Sequence, residues 1–205
     1  MKLQLALDVV DLEKAISLAE KTNGLVDIVE AGTPLIKSVG LQCVEKLKKY
    51  GPVLADMKTA DCGYLETKLA KAFGANYTTV LGFVNDETII GAVNAAKEEK
   101  IKVMIDLIGV KNKLKRAREL ERIGVDYILV HTGIDEQKAG KNPIEEIKEI
   151  GKSINIPLAC AGGLNAESIP NIVDINNLEI IIVGGAITKA IDPRLACEEI
   201  KEVIK

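Results

Sequence analysis

Asp56-Met57-Lys58-Thr59-Ala60-Asp61 sets an acid, a base and an acid close together, directly after the apolar run Val53-Leu54-Ala55. Side chains of a strand alternate faces, so Asp56 and Lys58 are expected to point into one interior and Met57 away from it. Asp61 falls where the strand should have become a loop, just ahead of the helical pattern that begins at Cys62. Such a group can grip a cation, orient hydroxyls or move protons. Taken alone it also fits a buried Asp56/Lys58 ion pair with Asp61 as a helix cap. The company these residues keep separates the readings, and that depends on the elements carrying them.

Short apolar runs alternate with longer amphipathic ones along the whole chain. The predicted strands are Leu3 to Asp8, Val26 to Glu30, Val53 to Met57, Tyr77 to Leu81, Val103 to Leu107, Tyr127 to His131, Ile156 to Ala161 and Ile180 to Val183. Between them run helical patterns: Leu12 to Lys21, Pro34 to Lys49, Cys62 to Phe73, Asp86 to Lys100, Lys113 to Ile123, Pro143 to Ser153, Ala166 to Val173 and Pro193 to Ile204. Leu114, Ala117, Leu120 and Ile123 show the helical spacing. Thr33-Pro34 and Asp192-Pro193 read as N-cap followed by first helical residue, and Gly51, Gly74 and Gly124 as helix ends. Strands alternating with helices give right-handed βαβ units and a parallel sheet, and this number of units closes into a single-domain (β/α)8 TIM barrel spanning residues 1–205. An open dinucleotide-binding sheet would need a glycine-rich turn after the first strand, where Asp8-Val9-Val10-Asp11 stands.

In such a barrel the chemistry sits where strands end. Those ends carry Asp8, Glu30, Asp56 with Lys58, Gly82, Asp106, His131, Gly162-Gly163 and Gly184-Gly185. So many acids at one mouth are hard to credit to packing, because buried charges need partners. Glu30 and Asp56, on neighbouring strands, suit a hard divalent cation that keeps several waters, most simply Mg2+. Lys58 among these acids should keep its proton, which disfavours a Schiff base and favours a metal-stabilised enediolate. The glycine pairs after the last two strands let backbone N–H groups approach a phosphate, although each pair also fits a tight turn. His131 is the only histidine, at a strand end, with an ordinary pKa of about 6.5 suited to proton transfer. A structural role for it stays open.

Composition narrows the partners. A net charge of -3, with acids and bases well mixed, leaves no electrostatic footprint for nucleic acid or an anionic membrane. With 3% aromatic residues and no Trp, stacking platforms for single strands are also unexpected. The four cysteines, Cys43, Cys62, Cys160 and Cys197, show no CxxC or metal spacing and read as reduced thiols. No signal-peptide pattern opens the chain, and no run approaches the ~18 apolar residues of a membrane span. A cytoplasmic protein acting on a small, phosphorylated substrate is expected.

At Asp56, Lys58 and Asp61 the chain resembles the orotidine 5'-phosphate decarboxylase superfamily, whose signature is Asp-x-Lys-x-x-Asp on the third strand. The resemblance runs through Leu5-Ala6-Leu7-Asp8, Val29 to Ile36, Thr79-Val80-Leu81-Gly82, Asp106-Leu107-Ile108-Gly109, His131 to Gln137, Ala161-Gly162-Gly163 and Gly184-Gly185-Ala186-Ile187. Orotidine monophosphate decarboxylases carry lysine where Glu30 stands, so their metal-free charge array is missing. Decarboxylases of 3-keto-gulonate 6-phosphate typically differ at Asp106, Ile134 and Gly185, with glutamate, arginine and arginine in those places. What remains is the aldolase branch: Mg2+-dependent addition of formaldehyde to D-ribulose 5-phosphate, or its reversal. The resemblance implies Glu30 and Asp56 as metal ligands and Lys58 as a second positive charge. It implies His131 as acid and base, with Asp8, Asp61 and Asp106 in the catalytic group. Asp8, Thr33, Asp61, Gly162, Gly163, Gly184 and Gly185 would hold the sugar phosphate. It further implies a homodimer in which Asp61 reaches the partner's site. A decarboxylase of the same superfamily and a silent sugar-phosphate sensor are the alternatives.

Overall fold

Parallel strands covered on both faces must be apolar almost throughout, and the eight runs that meet this condition pair in chain order until β8 returns to β1. The computed structural model describes residues 1–204. Its strands are β1 (Lys2–Leu7), β2 (Ile28–Ala31), β3 (Val53–Thr59), β4 (Tyr77–Leu81), β5 (Lys102–Asp106), β6 (Tyr127–His131), β7 (Leu158–Ala161) and β8 (Leu178–Val183). The helices are α1 (Leu12–Lys21), α2 (Thr33–Val39), α3 (Gln42–Leu47), α4 (Gly63–Ala72), α5 (Asp86–Glu99), α6 (Lys113–Ile123), α7 (Ile134–Lys138), α8 (Ile144–Gly151), α9 (Gly185–Thr188) and α10 (Pro193–Val203).

Strand alternation sorts the apolar residues into two bodies. Ile28, Leu54, Met104, Leu129, Ile180 and Ile182 fill the barrel. Leu5, Val29, Val53, Val103, Ile128 and Ile181 face outward onto the helices. Each fully buried Leu or Ile contributes roughly 1.5–3 kcal/mol, so the floor beneath the site is rigid. Asp11 caps α1 through Lys14 N, Asp192 caps α10 through Arg194 N and Leu195 N, and Gly124 ends α6 in the left-handed region.

Four local expectations are corrected. Pro34 to Lys49 is two helices, because Gly40 at φ +74 turns the chain between α2 and α3. Ala166 to Val173 yields only a 3-10 turn at Ile169–Asn171, since Pro170 brings no N–H to an α-helix. Thr33 is the first residue of α2 rather than its cap; Gly32 occupies that position, and its alpha carbon leaves no room for a side chain, since an added Cβ would collide with an Asp8 oxygen and lie 2.8 Å from Leu7 O. Finally, β3 does not alternate simply to its end. Ala55 pairs with Thr78 and Thr59 with Val80, so β3 bulges between them, and Lys58 takes φ +45.

Candidate active site

The C-terminal ends of the strands open into a cavity of about 660 Å3, within the size range of small-molecule sites. Three carboxylates meet on one wall: Asp8, Glu30 and Asp56 each offer an oxygen, and these oxygens lie within 4.8 Å of one another. The parallel register that sets Glu30 beside Ala6 brings two strand ends together, and β3 supplies Asp56 next to them. Glu30 and Asp56 are buried, whereas Asp8 stands open at the mouth. Burial pushes the Glu30 carboxyl well above its ordinary range, with the negative charges of Asp56 and Asp8 adding to the effect. Asp8 reaches solvent at its tip, but the cavity walls around it partly desolvate its carboxyl, and this with the charge of Asp56 pushes it up as well.

Asp56 is held from several sides. The Thr33 hydroxyl lies 2.7 Å from both its main-chain oxygen and Oδ2, the Thr79 hydroxyl donates to Oδ1 at 2.8 Å, and Lys58 Nζ donates to both oxygens. The same ammonium reaches Asp106 Oδ2 at 2.9 Å. Burial alone would lower the Lys58 pKa, but Asp56 and Asp106 outweigh it and raise the pKa, so the amine stays protonated. The bulge makes this possible: a non-glycine residue in the left-handed region costs roughly 1–3 kcal/mol, and here the main-chain N–H of Lys58 is anchored on the Thr79 hydroxyl.

Asp106 has no solvent exposure and sits behind the cavity wall. Its Oδ2 lies 2.9 Å from His131 Nδ1 as well as from Lys58 Nζ, and Oδ1 accepts from Ile108 N. Burial would raise its carboxyl, yet His131 and Lys58 together hold it down at about 2. A carboxylate at this position accepts a hydrogen bond from the Nδ1–H of a neutral imidazole, which leaves Nε2 unprotonated and facing a ligand. Lys58, His131 and Asp106 therefore form one connected group.

The ends of β7 and β8 present backbone to the same cavity. Gly162 and Gly163 have φ of +122 and +69, and a Cβ on Gly162 would sit 2.6 Å from Thr132 O, so only glycine fits there. Gly184 precedes the short α9, whose first N–H groups lack partners within the helix. Lys189 lines this end of the cavity too, folded back toward Gly185.

The structure thus gathers Asp8, Glu30, Thr33, Asp56, Lys58, His131 and both glycine pairs around one space, with Asp106 behind its wall in contact with Lys58 and His131. Asp61 is the exception: it is exposed, accepts from Cys62 N, and does not line the cavity of its own chain. The helix cap is Cys62 rather than Asp61. Sequence reasoning missed Gln4, Thr79 and Lys189. Gln4 shares a strand face with Ala6 and Asp8, and this alternation was the available signal; nothing in the spacing marked Thr79 or Lys189. Three hard oxygen donors at this separation fit a hard divalent cation, whose charge would offset the desolvation and the mutual repulsion that raise Glu30 and Asp8.

Fold and site together define a (β/α)8-barrel protein with a carboxylate cluster and glycine-lined strand ends at the C-terminal mouth. Residues 1–200 match the model of the orotidine 5'-phosphate decarboxylase / HUMPS family, and the chain belongs to that family. It is 42% identical to a 3-hexulose-6-phosphate synthase of Bacillus subtilis, over 100% of this chain and 99% of that protein. The crystal structure of 3-hexulose-6-phosphate synthase from Salmonella typhimurium is 38% identical, with a TM-score of 0.96 covering 100% and 98% of the two chains. The crystal structure of a KGPDC from Streptococcus mutans is 26% identical, with a TM-score of 0.91 over 99% and 96%.

Proposed function

We propose that this chain synthesises 3-hexulose 6-phosphate by aldol addition of formaldehyde to D-ribulose 5-phosphate, giving D-arabino-hex-3-ulose 6-phosphate, or cleaves it in reverse. The observation carrying this reading is the Lys58–Asp106–His131 group facing the Asp8, Glu30 and Asp56 oxygens, in a chain whose full-length relatives bear the synthase name. Glu30 and Asp56 would hold Mg2+, with Asp8 beside them, and the bound ion would supply Lewis-acid stabilisation of negative charge at the sugar's C2 oxygen.

His131, with Nδ1 committed to Asp106, has Nε2 left to take a C1 proton from ribulose 5-phosphate. The electron pair of that C–H bond becomes the enediolate, whose C1 then attacks the formaldehyde carbon. The carbonyl pair of formaldehyde moves to oxygen, and His131 returns the proton there. Lys58 adds fixed positive charge beside the enediolate oxygen, and its raised pKa supports chemistry without a Schiff base. Asp8 and Thr33 would hold sugar hydroxyls, while the backbones of Gly162, Gly163, Gly184 and Gly185 would receive the phosphate.

Asp61 belongs, in this reading, to the site of a second copy. Exposed Tyr64, Leu65 and Leu69 on α4 and Ile90 on α5 form an apolar face beside Asp61 that supports a homodimer. Free cysteines suit the cytoplasm, and among the described residues no helix is long and apolar enough to cross a membrane. The deciding experiment incubates the protein with formaldehyde, ribulose 5-phosphate and Mg2+ and identifies the product. Loss of both substrates with formation of the hexulose phosphate is expected. No formaldehyde consumption, with CO2 released from a keto-gulonate phosphate instead, would overturn the reading.

A further inference from the structure

Gln4 is a polar residue without solvent exposure on the inner face of β1, and it lines the floor of the cavity. It lies four residues before Asp8 and shares that face with Ala6 and Asp8. Ala6, the register partner of Glu30, carries only a methyl group. The Gln4 carboxamide reaches up beside it, and Nε2 donates to Glu30 Oε2 at 2.5 Å. Its Oε1 is buried and has no partner among the described residues. The amide turns its N–H to Glu30, which is the orientation that a carboxylate holding a cation requires of its neighbour.

A buried acceptor without a donor is costly, and this one belongs to the floor of a cavity whose three carboxylates stand nearer the mouth. We infer that Gln4 is a positioning residue for the cation site: Nε2 ties down one Glu30 oxygen so that the other faces Asp8 and Asp56, and Oε1 accepts an O–H from the ligand shell. That O–H belongs either to a water of the cation or to a sugar hydroxyl. The inference rests on the proposed metal site but is tested without turnover.

Mn2+ serves as the probe, its binding to the intact protein followed by electron paramagnetic resonance in the absence and presence of ribulose 5-phosphate. Met is close to Gln in length and suits the apolar floor, so Gln4→Met should fold, as circular dichroism will verify. Loss of a partner to a ligating side chain weakens metal affinity roughly 10- to 100-fold, and that loss is expected for Gln4→Met. In a Glu30→Gln background the same substitution should add almost nothing, because Gln4 acts through Glu30. If the O–H comes from water, the loss appears without sugar; if it comes from sugar, a further loss appears only in its presence. Unchanged Mn2+ affinity in Gln4→Met, or fully additive effects with Glu30→Gln, would overturn the assignment while leaving the metal site standing. A wild-type protein that binds no Mn2+ would refute both together. Should Gln4→Met fail to fold, Gln4→Leu removes both polar atoms with a smaller side chain; wild-type Mn2+ affinity in that variant would overturn the assignment equally.

Discussion

Asp106→Asn tests the connection between Lys58 and His131 most sharply, because the shape is kept and the charge removed. At about 1.4 kcal/mol per pH unit, holding this carboxyl at about 2 rather than its ordinary 3.8 corresponds to roughly 2–3 kcal/mol of native-state stabilisation. Asparagine cannot replace it. Oδ2 serves both Lys58 and His131 while Oδ1 serves Ile108 N, so an amide in either orientation turns its NH2 toward a donor. With a buried donor left unsatisfied, total destabilisation of about 2–4 kcal/mol is expected at neutral pH. Because the folded-state pKa is depressed, the stabilisation is complete above the unfolded value near 4 and is lost as pH falls through about 2. Urea unfolding followed by circular dichroism in EDTA should therefore give a gap between wild type and variant that narrows below about pH 4. Turnover should fall roughly 100- to 10,000-fold, since the imidazole loses the acceptor that sets its tautomer. A variant within about 0.5 kcal/mol of wild type at neutral pH, the scatter of neutral substitutions, or one with undiminished turnover, would refute the argument.

Lys58→Ala should abolish the reaction while the barrel persists by circular dichroism; appreciable residual turnover would exclude Lys58 from stabilising the enediolate. His131→Asn should slow exchange of the C1 proton of ribulose 5-phosphate in D2O, measured by NMR, and unchanged exchange would make the histidine merely positional. The raised Glu30 and Asp8 pKa values mean that their charged forms cost the cation-free fold stability, a cost absent below the unfolded pKa values and complete above the raised folded ones. Mg2+ should therefore raise Tm more at neutral than at mildly acidic pH, and EDTA should silence the reaction until Mg2+ is restored. A Tm increment that grows on acidification would contradict the carboxylate site.

The barrel was legible because every strand is a short apolar run bounded by polar or glycine residues, and strand ends name the mouth without any coordinates. Lys58 is instructive: alternation with Asp56 puts the two side chains together, and they do meet, yet through a bulge and a left-handed residue that periodicity cannot express. The break at Gly40 was hidden by apolar spacing that continues across it from Val39 to Leu41, and α7 and α9 are too short to show a helical period. Thr79 was obscured because hydroxyl residues are ordinary in strands, and its role comes from the two partners that the bulge brings to it. Asp61 shows the limit from the other side. Its motif is plain in the chain, but its carboxylate turns to Cys62 N, outside the cavity.

The seam between β1 and β8 joins the beginning of the chain to its end, and a Cβ at Gly184 would lie 3.9 Å from an Asp8 oxygen. Both walls of the cavity therefore meet only after the last strand has docked. A chain still emerging from the ribosome holds an incomplete pocket until β8 is out, so the residues of the mouth cannot act together on a half-built barrel.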